Sequence, residues 1–140
     1  MGHFILDNDG GEIEVIAGDY KTAKGPAFTF TPVNLLNAKL NKSAKADFSF
    51  PASYNTALLV VEGSVKVNNS ETIATDHLLL FSNDGENITV EAMSNAVVLV
   101  LSGEPIREPI AAHGPFVMNT RQEIIQAFED FNNGKFGYLE

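Results

Sequence analysis

The most informative segment of this chain is Leu101-Ser-Gly-Glu-Pro-Ile-Arg-Glu-Pro-Ile-Ala-Ala-His-Gly-Pro-Phe-Val-Met-Asn-Thr120. It begins at the end of an apolar run, and its Gly114-Pro115 corner, followed by apolar residues, fixes how the helix enters. It ends where Thr120 can cap a helix, and Glu123 three residues later completes a capping-box pattern. The sequence therefore predicts strands upstream of this segment and one helix, near Thr120–Asn132, downstream of it.

Turn-forming residues recur along the chain, for example at Asp7–Gly11, Asn41–Ser43, Asn68–Ser70 and Asn83–Gly85. Asn, Asp and Gly adopt positive φ at low cost, so they cluster where strands reverse direction. Between the turns, alternate residues are apolar, which predicts strands with one inward and one outward face. The alternating sets are Ile13/Val15, Phe28/Phe30, Ala46/Phe48/Phe50, Val65/Val67 and Ile88/Val90/Ala92.

Three runs are continuously apolar: Ala57–Val61, Ala96–Leu101 and the shorter Leu78–Phe81. Such runs are typical of strands covered on both faces, either in the middle of a sandwich or against a partner. Together with the turns they predict one all-β barrel or sandwich of about nine to eleven short, mostly antiparallel strands. We find no linker that would divide residues 1–140, so we expect a single domain.

Several segments together resemble the C-terminal half of the pirin family, whose members contain two cupin barrels in one chain. These segments are the one quoted above, Thr31–Leu35, Phe48–Pro51 and Tyr54–Ser64. The resemblance implies a cupin fold, an RmlC-like jelly roll or double-stranded β-helix barrel, followed by one C-terminal α-helix. It also implies that the metal-binding barrel, which is N-terminal in this family, is the half that this chain lacks.

Metal ligands are missing where a cupin would carry them. When the chain is aligned on Glu62-Gly63, the family's His-x-His pair falls on Ser49-Phe50-Pro51. Asn55 stands where the N-terminal barrel of a pirin has a glutamate, and the second motif offers Glu86 but no histidine. Imidazole groups are the usual ligands for iron, nickel and zinc in such sites. We therefore expect no metal, no other cofactor and no independent catalysis.

Our preferred hypothesis is a module for protein interaction, self-assembly or regulation. One cupin barrel without its neighbour leaves an apolar face uncovered, and a homodimer could replace the missing half through a self-complementary patch. A different protein partner remains an alternative. The candidate interface residues lie on the helix stripe and the tail, although either could fold back on its own barrel. They are Ile124, Ile125, Phe128, Phe131, Phe136, Tyr138 and Leu139.

Two further hypotheses stay open. The resemblance implies that the chain could be part of a pirin-type quercetin 2,3-dioxygenase, in which it would shape the substrate cavity without holding the metal. The barrel lumen could instead bind a small molecule, with Tyr54, Asn55 and His77 as polar contacts. A lone histidine on an apolar strand face, such as His77, is more often a packing residue than a ligand.

Composition excludes several classes of function. The apolar fraction of 44% fits a globular protein, and the net charge of −9 argues against direct binding of nucleic acid. No apolar run approaches the roughly 20 residues that span a bilayer, so we expect no membrane insertion. No basic-then-apolar leader opens the sequence, which favours a cytoplasmic location. The chain has no cysteine, which excludes disulfides and thiolate chemistry.

Overall fold

The computed structural model describes residues 2–138. It divides into two compact units, Met1–Pro105 and Ile106–Glu140, which are described separately below. The boundary falls inside the proline-bearing segment, where no periodic pattern in the sequence indicated a division.

The first unit consists of two antiparallel sheets and a short hairpin. A six-stranded sheet has the order β1-β2-β5-β12-β7-β10, a four-stranded sheet has the order β6-β11-β8-β9, and β3 pairs with β4. The strands are β1 (Gly2–Leu6), β2 (Gly11–Ala17), β3 (Asp19–Tyr20), β4 (Ala23–Lys24), β5 (Val33–Leu40), β6 (Lys45–Ser49), β7 (Asn55–Glu62), β8 (Ser64–Val67), β9 (Thr72–Ala74), β10 (His77–Leu80), β11 (Asn87–Ala92) and β12 (Ala96–Gly103).

One continuous core joins the inner faces of the two sheets. On the central strand β12, Val98 and Val100 are fully buried, and on the facing strand β11 so is Val90. The predicted alternation is confirmed in β2, β6, β8 and β11, where every second residue is buried. Because apolar burial stabilises by about 25 cal/mol per Å², this shared core holds the sheets face to face.

The turns follow the predicted chemistry. Asn8 and Asp9 between β1 and β2, and Asn68 and Asn69 between β8 and β9, all have positive φ. Gly63 also has positive φ, and a Cβ at that position would collide with the carbonyl oxygen of Asn95. These residues therefore let the strands reverse without strain.

Two strand predictions were wrong in detail. Phe28 and Phe30 belong to no strand and are 83% and 97% exposed, because Pro26 and Pro32 bracket a loop that cannot join a ladder. The run Leu78–Phe81 contains β10, but β10 is an edge strand that pairs only with β7. Its outward side is therefore uncovered.

The second unit contains a hairpin and the helix. The hairpin pairs β13 (Ala111–His113) with β14 (Phe116–Met118), and α1 spans Arg121–Asn132. Within residues 2–138 the structure thus has fourteen strands and one helix, and nine of the strands have four or more residues. The extra strands beyond the predicted nine to eleven are two- and three-residue pairings that leave little periodic signal in a sequence.

The predicted helix and its capping box are confirmed. The Thr120 hydroxyl accepts a hydrogen bond from the Glu123 backbone N–H at 3.2 Å, and the Glu123 carboxylate accepts from the Thr120 N–H at 2.8 Å. Hydrogen bonds from Thr120, first from its hydroxyl and then from its backbone, lower the pKa of Glu123 below its ordinary 4.5. The carboxylate form therefore stabilises the start of the helix.

Replacing Leu58 by alanine should destabilise the protein strongly, because its side chain is fully buried between the sheets. We expect a loss of about 2–5 kcal/mol in the free energy of unfolding, measured by chemical denaturation. The matched control is Leu80→Ala on the neighbouring strand, where the side chain is 72% exposed and the loss should be far smaller. Equal losses for the two variants would contradict the assignment of inner and outer faces.

Lowering the pH should destabilise the first turn of α1, because it protonates the Glu123 carboxylate. Its pKa is lower in the folded state than in the unfolded state, so its stabilisation is present above pH 4.5 and is lost as pH falls through the folded pKa. Amide chemical shifts of the first helical turn, followed by NMR from neutral to acid pH, should therefore change in the wild type. They should change much less in Glu123→Gln, which has no carboxylate to titrate, and a wild-type response retained in that variant would contradict this assignment.

Candidate functional site

A cavity of about 200 Å³ lies at one end of the first unit, where β6 ends and β7 and β11 begin. Three aromatic side chains, Phe50, Tyr54 and Phe81, contribute to its walls. Its polar side is formed largely by the loop between β10 and β11, which brings Asp84 and Glu86 to the rim. The further lining residues are Pro51, Thr56, Asn68, Ser82, Gly85, Asn87 and Ile88.

This end cavity is the place where the cupin resemblance predicts metal ligands. Phe50 and Pro51, two of the three positions aligned with the family's His-x-His pair, line it together with Glu86. No histidine is among the described residues of its lining. Two carboxylates on an exposed loop, one of which already accepts a hydrogen bond from Ser82 at 3.0 Å, do not match the imidazole-rich site of an iron or nickel cupin. The residues present do not fit the metal.

The predicted lumen residues do not converge. Tyr54 lines the end cavity, but Asn55 lies next to it in sequence and borders a groove on the opposite side of the sheet. His77 on β10 lies opposite Val60, about 13 Å farther along β7 than Thr56, and its Nδ1 is 3.0 Å from the carbonyl oxygen of Thr75. The prediction of a shared lumen site is thus corrected, because strand alternation and register separate the three side chains. Thr56, which the sequence did not single out, joins Tyr54 at the cavity.

The outer face of the six-stranded sheet carries an apolar groove of about 370 Å³, which we call the outer groove. Its apolar walls are Val33, Leu35, Ala57, Leu80 and Leu101. These residues occupy the outward positions of β5, β7, β10 and β12, opposite in direction to the buried core residues of the same strands. The groove therefore lies on the side of the sheet that the core leaves uncovered.

A pair of aromatic rings projects beside the outer groove. Phe28 and Phe30 pack edge to face with ring centroids 5.2 Å apart, on the loop between β4 and β5. The loop is held at both ends, by a hydrogen bond from the Ala27 N–H to the Ile16 carbonyl and one from the Glu104 N–H to the Pro32 carbonyl. Phe28 borders a second cavity of about 530 Å³, and Val33 lines both that cavity and the outer groove. We call Phe28 and Phe30 the aromatic pair.

The opposite half of the same face is charged and internally paired. His3, Glu12 and Glu14 are the one group of three possible metal-binding side chains found within residues 2–138. Lys39 already lies between the carboxylates, 2.7 Å from Glu14 and 3.4 Å from Glu12. The Lys39 hydrogen bond, aided by one from Asn37, lowers the pKa of Glu14. The lysine ammonium thus supplies the positive charge that a metal ion would otherwise bring.

The predicted interface residues of the second unit fall into two groups. Ile124 is buried, and Phe128 is half-buried, with its ring centroid 5.0 Å from that of Phe116. These two candidates therefore pack within the second unit and do not form the exposed interface that the sequence suggested. The sequence missed this because Ala127 and not Phe131 completes the buried stripe. The exposed candidates are Ile125, Phe131, Phe136 and Tyr138. Leu139 lies outside the described residues.

No helix in the described part of the chain combines the length and the apolar character that crossing a membrane requires.

Changing Lys39 to methionine should raise the pKa of Glu14 towards 4.5, because the largest cause of its lowered pKa is the hydrogen bond from Lys39. A carboxyl-detected NMR titration measures this directly. Lys45→Met is the matched control, since Lys45 pairs with Glu91 and not with Glu14. An unchanged pKa of Glu14 in Lys39→Met would contradict the pairing described here.

Comparison with known proteins matches residues 35–137 to the pirin C-terminal cupin domain. A protein of Pseudomonas aeruginosa is 38% identical over 131 residues, which is 94% of this chain and 46% of that protein. Human pirin is 33% identical over 134 residues, covering 93% of this chain and 46% of pirin. A crystal structure of quercetin 2,3-dioxygenase from Acinetobacter baumannii superposes with a TM-score of 0.86 at 40% identity, over 99% of this chain and 48% of that one.

These matches agree with the two facing antiparallel sheets and the single helix of the structure, and with the cupin resemblance of the sequence. The chain spans about half the length of the relatives it matches. The matched family model is that of the C-terminal cupin. The chain therefore belongs to the pirin family, in which it corresponds to the C-terminal cupin domain.

Proposed function

We propose that this chain is a metal-free cupin module of the cytoplasm that acts through assembly, and that its most direct partner is a second copy of itself. The observation that carries the proposal is the apolar outer face of the six-stranded sheet. We place this face on a double-stranded β-helix of the cupin type, in which the inner face forms the core and the outer face is free to pack against another barrel.

Strands β12 and β7 carry apolar side chains on both sides over most of their length. Leu99 and Leu101 of β12 point away from the core that Val98 and Val100 fill, and Leu59 of β7 lies opposite Leu99 in the ladder. Soluble monomers rarely expose continuous apolar patches larger than a few hundred Å². A face of this kind is therefore best explained as one that a partner covers.

A second copy fits this face because it carries a projection and a recess side by side. The aromatic pair projects next to the outer groove, and Val33 borders both features. In a twofold dimer, each copy could place its aromatic pair in the groove of the other, since an isologous interface needs only one self-complementary patch. The chain spans about half the length of these relatives, and in this proposal a second copy takes the place of the other half.

The sizes involved are compatible. A stable interface buries about 800 Å² on each partner, and a phenylalanine buries about 150–250 Å² when fully covered. The aromatic pair alone would thus provide roughly half of the area needed on each side. Exposed side chains of the second unit, such as Phe131 and Phe136, are further apolar surface that a partner could cover.

Charge opposes self-association, and this gives the proposal a second signature. Each copy carries a net charge of −9, so two copies repel one another at low ionic strength. Salt screens this repulsion beyond about 8 Å at physiological strength and leaves apolar contacts intact. The dimer should therefore become more stable, not less, as salt is added.

Analytical ultracentrifugation tests the assembly. The wild type should sediment as a dimer, whereas Phe30→Asp and Leu80→Asp should sediment as monomers, because each places a charge in the proposed contact. Ile5→Asp is the matched control. Ile5 is 68% exposed on the charged half of the same face, outside the proposed contact, so the Ile5→Asp variant should still sediment as a dimer. A wild type that stays monomeric at high micromolar concentration would contradict the proposal.

A second candidate function is a supporting half of a pirin-type quercetin 2,3-dioxygenase. The observation in its favour is the 40% identity to the enzyme from Acinetobacter baumannii, of which this chain covers 48%. Because the end cavity does not fit a metal, this chain would contribute walls of a substrate cavity and a neighbouring barrel would carry the chemistry.

Elemental analysis of the purified chain tests the absence of a bound metal, which both candidates require. We expect no stoichiometric iron, nickel, copper or zinc, since the end cavity has carboxylates and aromatic rings where the family has imidazoles. A stoichiometric metal in the wild type that Glu86→Gln removes would contradict this expectation. Glu62→Gln removes an exposed carboxylate that does not line the cavity, and it is the control for a general effect of charge.

A further inference from the structure

We propose that the end cavity is a binding site for a small organic ammonium ion. The combination of acidic loop and aromatic walls described above matches the chemistry of such a cation. The end cavity lies at the end of the two sheets and the outer groove on the outer face of the six-stranded sheet, and Thr56 is the residue that lines both.

The charge around the cavity has one sign. Asp84 and Glu86 lie on its rim, and its described lining contains no lysine, arginine or histidine. Both carboxylates belong to the exposed loop between β10 and β11, in a chain of net charge −9. Such a rim raises the local concentration of cations and disfavours anions.

The floor of the cavity is aromatic and held in place. Phe50 is 8% exposed, as part of the core, and Tyr54 and Phe81 are partly buried and pack against that core. Packing against the core restrains these three rings. The face of an aromatic ring attracts a cation within about 6 Å of its centre, and the attraction grows as water is excluded.

The same residues are less suited to a bare metal ion. Within residues 2–138, the one group of three possible metal ligands lies elsewhere, at His3, Glu12 and Glu14. The Asn68 side-chain oxygen already accepts a hydrogen bond from the Thr89 N–H at 2.9 Å, and Ser82 donates to Asp84. A charged group with an apolar surface uses both the carboxylates and the rings, whereas a hydrated metal ion uses only the carboxylates.

The size of the cavity limits the ligand. Its volume of about 200 Å³ is below the roughly 300–1,000 Å³ of sites for drug-sized molecules. It opens beside the 530 Å³ cavity, with which it shares Phe50, Pro51 and Tyr54. A compact ammonium head group thus fits the end cavity, and a short tail could extend towards Phe28.

Titration of the full chain with choline chloride, followed by amide NMR, tests the site. We expect shift changes centred on residues 82–88 and Tyr54, with weak affinity of roughly millimolar order. Its neutral isostere 3,3-dimethyl-1-butanol should bind at least about threefold more weakly, because it lacks the charge that the rim and the rings attract. Equal binding of the two compounds, or no shift change at these residues, would overturn the proposal.

Substitutions separate the contribution of the acidic rim from that of the aromatic rings. Glu86→Gln and Tyr54→Leu should each weaken choline binding by roughly three- to tenfold, and Glu62→Gln should leave it unchanged. Retention of the wild-type amide spectrum outside the cavity shows that a variant is folded. Tyr54 is partly buried, so Tyr54→Leu could unfold the protein. In that case the result for Glu86→Gln, on the exposed loop, decides the test. A calcium chloride titration that moves the same amides when choline does not would also overturn the proposal.

Discussion

The rest of the structure depends on one constraint: strand β12, in the middle of the six-stranded sheet, is apolar on both sides. The inward side chains of β12, including Val98 and Val100, build the core with the four-stranded sheet. The outward side chains, including Leu99 and Leu101, cannot enter that core because successive residues of a strand point to opposite faces. The core thus covers one side of β12 and not the other, and the proposed assembly concerns that second side.

The charged side chains lie away from the apolar outer groove. Glu14 and Lys39 pair with one another on β2 and β5, towards the β1 edge of the outer face, whereas the outer groove reaches β7 and β10. Asp84 and Glu86 lie at the end of the sandwich, where the walls are aromatic and the metal ligands of a catalytic cupin are missing. This end of the sandwich therefore presents carboxylates and aromatic rings, and no imidazole among the described residues of the cavity lining.

Much of the fold could be predicted from local patterns. Alternation in β2 and β11, and the capping box at Thr120 and Glu123, are short-range features that the sequence displays directly. What could not be predicted depends on neighbours distant in sequence. The course of the loop that carries Phe28 and Phe30 depends on hydrogen bonds to Ile16 and Glu104, and the separation of Tyr54 from His77 follows from the register of β10 on β7. The side chains that could form a ligand site were therefore predicted less well than the strands that carry them.

The most direct test of this account measures which side chains of the outer face lose contact with water as concentration rises. Methyl NMR with a soluble paramagnetic probe reports the accessibility of Leu80, Val33 and Ile5 separately in one dilution series. Leu80 and Val33 should become protected at high concentration, whereas Ile5 on the charged half should stay accessible. Accessibility of Leu80 and Val33 that is the same at every concentration would contradict the claim that this face exists to be covered by a second copy.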